Sequence, residues 1–218
     1  MRPVTCSARR AALILLMAML FPLPVRAVDA PRRVMLVFDG SGSMWGKIEG
    51  EKSSKLAAAR DALRRALPAL GPDTVTGLTS FGHRRRGDCG DVETIIDIGP
   101  LDTEALMLQV DKLNPKGKGP LALAVREAAK ALGPGLRSSI VLIHDGADNC
   151  QQDACAAAAE IAKAQPGLTI HTVGLGLEPE DAVKSACIAA ATGGRTFDAR
   201  DNAQIESMVG EAMRLAGL

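Results

Sequence analysis

Residues 34–43 read Val34-Met35-Leu36-Val37-Phe38-Asp39-Gly40-Ser41-Gly42-Ser43: five apolar residues in a row, then an acid, then serines alternating with glycines. A strand with one solvated face alternates apolar and polar, so an unbroken apolar run signals a strand covered on both sides, as in a parallel sheet sandwiched by helices. The flanking chain keeps that rhythm. Residues 53–67 place Leu56, Ala59, Leu63 and Leu67 on one helical stripe, with Arg60, Asp61 and Arg64 off it. Further strands are predicted at 75–81, 93–98, 140–143, 168–173 and 195–197, and helices at 103–113, 121–132, 154–164, 181–191 and 205–215. Gly71-Pro72-Asp73, Gly82 and Gly99-Pro100 punctuate them. Alternating strands and helices with buried strands predict an open, doubly wound, mostly parallel α/β sheet with helices on both faces.

Composition narrows the function classes. The 218 residues are 47% hydrophobic and 23% charged with formal charge +1, values that exclude a disordered chain, a collagen and a polytopic membrane protein. With four Phe, one Trp and no Tyr, the core must be aliphatic, and neither base stacking nor an aromatic sugar cleft fits. The first 27 residues have the layout of a secretory signal peptide, with Arg2, Arg9 and Arg10, an apolar run at 11–20, breaks at Pro22 and Pro24, and Val25-Arg26-Ala27 before a cut. The apolar run is shorter than the ~18 residues of a membrane span; a retained N-terminal anchor is the alternative, and Cys6, ahead of the run, argues against a lipoprotein. The expected organisation is a leader at 1–27 and one domain at 28–218, exported to the periplasm or secreted. The leader holds four Arg and no acid, so the remainder carries formal charge −3 and no nucleic-acid footprint. In an oxidising compartment Cys89, Cys150, Cys155 and Cys187 allow three pairings. The short loop favours Cys150–Cys155, leaving Cys89–Cys187; irregular spacing argues against zinc.

Two predicted strands end alike, at Phe38-Asp39-Gly40 and His144-Asp145-Gly146. Doubly wound sheets bind ligands beyond the carboxyl ends of their strands, where strand order reverses. With the first strand central and the 140–143 strand across the switch, Asp39 and Asp145 hang over one crevice. Two carboxylates that close either share a cation or raise one pKa, and Ser41 and Ser43, freed to turn inward by Gly40 and Gly42, favour the cation. The competing reading is a turn in which Asp39 and the serines cap the next helix; the matched second Asp-Gly weighs against it.

Asp39-Gly-Ser41-Gly-Ser43 with a distant Asp145-Gly resembles the von Willebrand factor type A domain and its metal-ion-dependent adhesion site (MIDAS), over about residues 34–200. Gly82-His83-Arg84-Arg85 leading to Gly87-Asp88-Cys89, the stretch 114–121, and Cys150 with Cys155 are similar to a secreted bacterial subset, the calcium-activated-chloride-channel-like von Willebrand A proteins. The fold class is then a Rossmann-like six-stranded sheet with one short antiparallel edge strand. The resemblance implies Mg²⁺ (or Mn²⁺ or Ca²⁺) at Asp39, Ser41, Ser43 and Asp145, its coordination completed by an Asp or Glu of a protein partner. Channel activity is not implied, since the mature chain offers no span. One departure matters: where the family has threonine in G-x-T-P-L, this chain has Gly119, in Gly117-Lys118-Gly119-Pro120-Leu121. Mg²⁺ commonly keeps waters that can fill such a position, so a weak or partner-dependent metal site is expected.

Enzyme signatures fail individually. Neither Ser41 nor Ser43 lies in G-x-S-x-G, Lys118 is followed by Gly119 where a phosphate loop needs Ser or Thr, and Ser41 stands where a haloacid-dehalogenase-like phosphatase needs a second Asp. The His83 loop alone offers a general base. His83, Arg84, Arg85 and Arg86 read as an acidic-partner contact or as a solvated loop partly neutralised by Asp88, Asp91 and Glu93. Trp45 is either an exposed contact anchor or packing beneath the metal loop. His144 and His171 sit in strand patterns and read as packing, and Asp148 reads as a solvated carboxylate, with a place at the rim of the crevice as the alternative. The function expected is an exported, metal-assisted protein-binding module for adhesion or scaffolding. A metal-free assembly component of an envelope complex is the alternative, with a metal-dependent hydrolase remote.

Overall fold

The computed structural model describes residues 30–135 and 137–218; the leader expected at 1–27 lies outside them. The described strands are β1 (Arg32–Asp39), β2 (Thr74–Phe81), β3 (Val92–Pro100), β4 (Ser138–His144), β5 (Leu168–Leu175) and β6 (Thr196–Ala199). They form one sheet in the order β3-β2-β1-β4-β5-β6, parallel throughout except for the antiparallel β2–β3 pair. The helices are α1 (Lys55–Ala66), α2 (Thr103–Lys112), α3 (Leu121–Leu132), α4 (Ala154–Ala164), α5 (Pro179–Ala191) and α6 (Asn202–Ala216). This is the doubly wound, mostly parallel sheet expected from the sequence, and strand order reverses between β1 and β4.

β1 earns its central place through its apolar run. Val34, Leu36 and Phe38 face a core closed by α1, α2 and α6, while Met35 and Val37 face one closed by α3, α4 and α5. Each such side chain taken from water contributes about 1.5–3 kcal/mol. Helix starts are set by local chemistry: Ser54, Asp102, Asp153 and Asp201 each accept the backbone N–H three residues on. β3 runs longer than the predicted 93–98, because Gly99 and Pro100 stay paired with Thr76 and Val75. An edge strand tolerates proline, since its outer side has no ladder bond to lose.

The cysteines pair differently from the expectation. Cys89 bonds Cys150 and Cys155 bonds Cys187, each with Cα atoms 5.6 Å apart; Cys150–Cys155 and Cys89–Cys187 do not form. The fold overrides the short loop. Cys155 lies in the first turn of α4, where packing on α5 sets it against Cys187. Cys150 lies in the preceding turn, which folds against the loop after β2.

Candidate metal centre

Asp39 ends β1 and Asp145 follows β4 directly, so parallel pairing of the two strands delivers both acids to one edge of the sheet. Asp39 is 2% exposed. Its Oδ1 accepts the Ser41 N–H at 2.6 Å and its Oδ2 the Asp145 N–H at 3.3 Å. Ser43 Oγ donates to Asp145 Oδ1 at 2.7 Å, which leaves its lone pairs to accept from Ser41 Oγ, 3.0 Å away. The structure thus brings Asp39, Ser41, Ser43 and Asp145 together. The Ser41 side chain makes no capping bond to the helical turn at Gly42–Trp45 that follows it, and Ser54, rather than either serine, caps α1. Ser43 faces solvent and marks the mouth of the crevice.

Three loops hold that mouth backbone to backbone. Gly40 N–H donates to Phe81 O at 2.8 Å, Gly42 N–H to Gly117 O at 3.1 Å, and Gly117 N–H to Gly82 O at 2.7 Å. A Cβ on Gly40 would meet Phe81 O at 2.6 Å and His83 Cβ at 2.7 Å, so glycine is obligatory there. Gly42 is a correction: its Cβ would meet nothing nearer than 3.8 Å, and the loop does not depend on its being glycine. The close approach falls instead on Gly82, at φ +68°, and Gly117, whose Cβ would meet Arg85 O at 2.7 Å. Gly119 likewise does not shape the loop through sterics. A Cβ there meets only Phe81 Cε2 at 3.7 Å and Ala147 O at 3.9 Å, leaving room for the threonine that the family pattern expects.

The crevice makes one of its acids hard to ionise. Burial, and then the Asp145 charge, push the Asp39 carboxyl up to about 7. Asp145 has a cation of its own: Lys55 Nζ sits 3.2 Å from its Oδ2, with the lysine side chain 14% exposed and the aspartate 1%. Sequence reasoning missed Lys55, because a lysine at a helix start reads as solvated surface. Its placement follows from the Lys55 N–H bond to Gly46 O at 2.8 Å, which draws the start of α1 to the metal loop.

The remaining candidates separate. Trp45 is 55% exposed, while its Nε1–H donates to Pro115 O at 2.8 Å; it is anchored and outward-facing. Arg85 is exposed and paired with Asp88. His83 and Arg84 are not free contacts. His83 Nε2 lies 3.2 Å from Glu93 Oε2 and burial lowers the pKa of its ring, and Arg84 is engaged by Asp91, Val92 and Glu93. Buried Asp91, which also accepts the Arg84 and Arg85 N–H groups, is the anchor of that loop. Asp148 is also a correction: it is half-buried rather than solvated, accepting Ala122 N–H at the start of α3 and Cys150 N–H in its own turn. His144 packs at the strand end, with Nδ1 on Gly146 O and Nε2 on Ser185 Oγ, and His171 Nδ1 accepts Arg195 N–H.

The donor set suits a hard cation. It consists of two hydroxyls and two carboxylates, all oxygen; among the described residues no cluster of three His, Cys, Asp or Glu side chains stands ready as a metal centre. Buried, mutually repelling Asp39 and Asp145 have the charge that such a cation offsets.

A doubly wound domain whose central strand ends in an aspartate–serine–serine loop, faced by an aspartate from the neighbouring strand β4, has the layout of one class of α/β domains. The family model for the von Willebrand factor type A domain matches residues 34–211, and the chain belongs to that family. It is similar to the uncharacterized protein YwmD of Bacillus subtilis (strain 168), 26% identical over 188 residues, covering 82% of this chain and 83% of that protein. The PilB minor pilin from Streptococcus sanguinis shares the fold with TM-score 0.65 and 15% identity, over 87% of this chain and 62% of its own. Proximal thread matrix protein 1 from the mussel byssus, solved with a zinc-occupied MIDAS motif, does so with TM-score 0.63 and 16% identity, over 87% and 47%. The chain therefore spans less than two thirds of either solved neighbour, and at these identities the likeness is one of fold.

Proposed function

We propose that this chain is an exported, metal-assisted protein-binding module, used for adhesion or scaffolding, that captures an acidic side chain of a partner protein. The observation that carries the reading is the meeting of Asp39 and Asp145, 106 residues apart in sequence, in one buried crevice with the hydroxyls of Ser41 and Ser43. Those four residues would hold Mg²⁺, Mn²⁺ or Ca²⁺. When bound, the ion supplies an open coordination position for a partner carboxylate. Asp39, buried and short of a counter-charge, orients the loop through Ser41 N–H; Ser43 stands at the mouth where a partner arrives; Trp45 offers an aromatic anchor beside it. A pilin and a zinc-bearing byssus protein on the same fold support adhesion as the use, and two disulfides support export. The reading is one of binding, a use that the pilin on the same fold supports.

The second reading, a metal-free assembly component, draws on Gly119 in the threonine position and on the ammonium of Lys55 already beside Asp145. Immobilised protein offered an extract of exported proteins separates the two. The first reading predicts capture that chelator abolishes and that Asp39→Asn and Asp145→Asn both lose. Capture indifferent to chelator and to both variants supports the second.

A further inference from the structure

The two acids of the crevice are served unequally. Asp145 carries the Lys55 ammonium at 3.2 Å and the Ser43 hydroxyl at 2.7 Å, whereas Asp39 is met by two backbone N–H groups and, among the described residues, by no ion pair. Lys55 therefore supplies the crevice's positive charge in the protein as it stands. A divalent cation at Asp39, Ser41, Ser43 and Asp145 would come close to that ammonium, and two cations in one poorly hydrated site repel strongly. The lysine also has somewhere to go. Its side chain borders a cavity of about 590 Å³ that Glu49 and Glu178 line together with Lys47 and Arg200. A flexible four-carbon stem can carry the ammonium from Asp145 into that cavity.

We infer that Lys55 is the resident cation of the crevice, and that its ion pair with Asp145 and the binding of a divalent ion exclude one another. The inference rests on the metal-assisted reading above. It makes Lys55 the residue that sets metal affinity: the ion must displace an ammonium before it gains the second carboxylate, which compounds the loss of the threonine at Gly119.

Mn²⁺ titration calorimetry on the full chain tests this. Lys55→Met should bind Mn²⁺ at least tenfold more tightly than wild type, while Lys55→Arg, which keeps the charge, stays as weak as wild type or weaker. Equal or weaker binding by Lys55→Met, with binding by wild type evident, overturns the inference and leaves the metal reading standing; no binding by wild type, Lys55→Met or Gly119→Thr overturns both. Should Lys55→Met fail to fold, wild-type protein answers through amine-reactive labelling read by mass spectrometry. Saturating Mg²⁺ should raise labelling of Lys55 several-fold while that of exposed Lys130, on α3, is unchanged. Constant Lys55 labelling at saturating Mg²⁺ overturns the inference.

Discussion

The backbone N–H of Asp145 donates to Asp39 Oδ2 at 3.3 Å, so the ends of β1 and β4 meet through the carboxylate that burial makes hardest to ionise. That contact couples the reversal of strand order to the chemistry of the crevice. It is a topological consequence: no local signal places residues 39 and 145 together, but parallel pairing of two buried strands does.

The first prediction concerns pH. Burial and Asp145 raise the Asp39 carboxyl from 3.8 to about 7. Between those values the native state keeps a proton that the unfolded chain has released, so metal-free stability falls as pH rises across the window, by up to about 4 kcal/mol for this group. Buried His144 and His171, whose pKa values are lowered by burial, act the other way below about 6.5. Urea unfolding in chelator at about pH 5 and about pH 7, wild type against Asp39→Asn, isolates the aspartate. Wild type should lose ground to the variant as pH rises; a constant difference contradicts the assignment.

Gly119→Thr should strengthen Mn²⁺ binding roughly tenfold or more with little change in stability. A side chain at that position meets only ordinary contacts at 3.7 and 3.9 Å, and the Gly119 N–H bond to Asn149 Oδ1 at 2.8 Å is a backbone bond that survives. Calorimetry and thermal melting, run in parallel, check both halves.

The Cys89–Cys150 bridge spans 61 residues of sequence and ties the loop after β2 to the turn after β4. Replacing both cysteines with serine should cost about 4 kcal/mol by loop entropy, read from denaturant midpoints. The four crevice side chains remain in place, so Mn²⁺ affinity should change less than stability does.

Trp45→Ala should weaken capture of the protein partner by about tenfold, equivalent to about 1.4 kcal/mol, and leave Mn²⁺ affinity unchanged. Trp45 is 55% exposed, and its Nε1–H donates to Pro115 O in the loop at 115. Partner binding measured by biolayer interferometry, beside metal titration, distinguishes a contact anchor from a prop of the metal loop.

Much of this was legible in the chain. The run from Val34 to Phe38 announced a strand buried on both faces, and the paired Asp-Gly sequences named the two acids before any fold was known. What stayed hidden depends on juxtaposition. Cys89 meets Cys150 because two loops fold together, and sequence distance misled where spatial distance decided. Lys55 looks like any lysine at a helix start until Gly46 O fixes where α1 begins. Asp148 carries the same charge whether solvated or holding the start of α3. Gly82 and Gly117 announce flexibility in sequence, but the backbone each must admit is visible only in three dimensions.

In the proposed reading Asp39 and Asp145 share one divalent cation. Crystals equilibrated with Mn²⁺ and measured for anomalous scattering test it most directly. One peak is expected within coordination distance of the crevice formed by Asp39, Ser41, Ser43 and Asp145, lost in Asp39→Asn. An empty crevice at saturating Mn²⁺, or a peak elsewhere with none there, contradicts it.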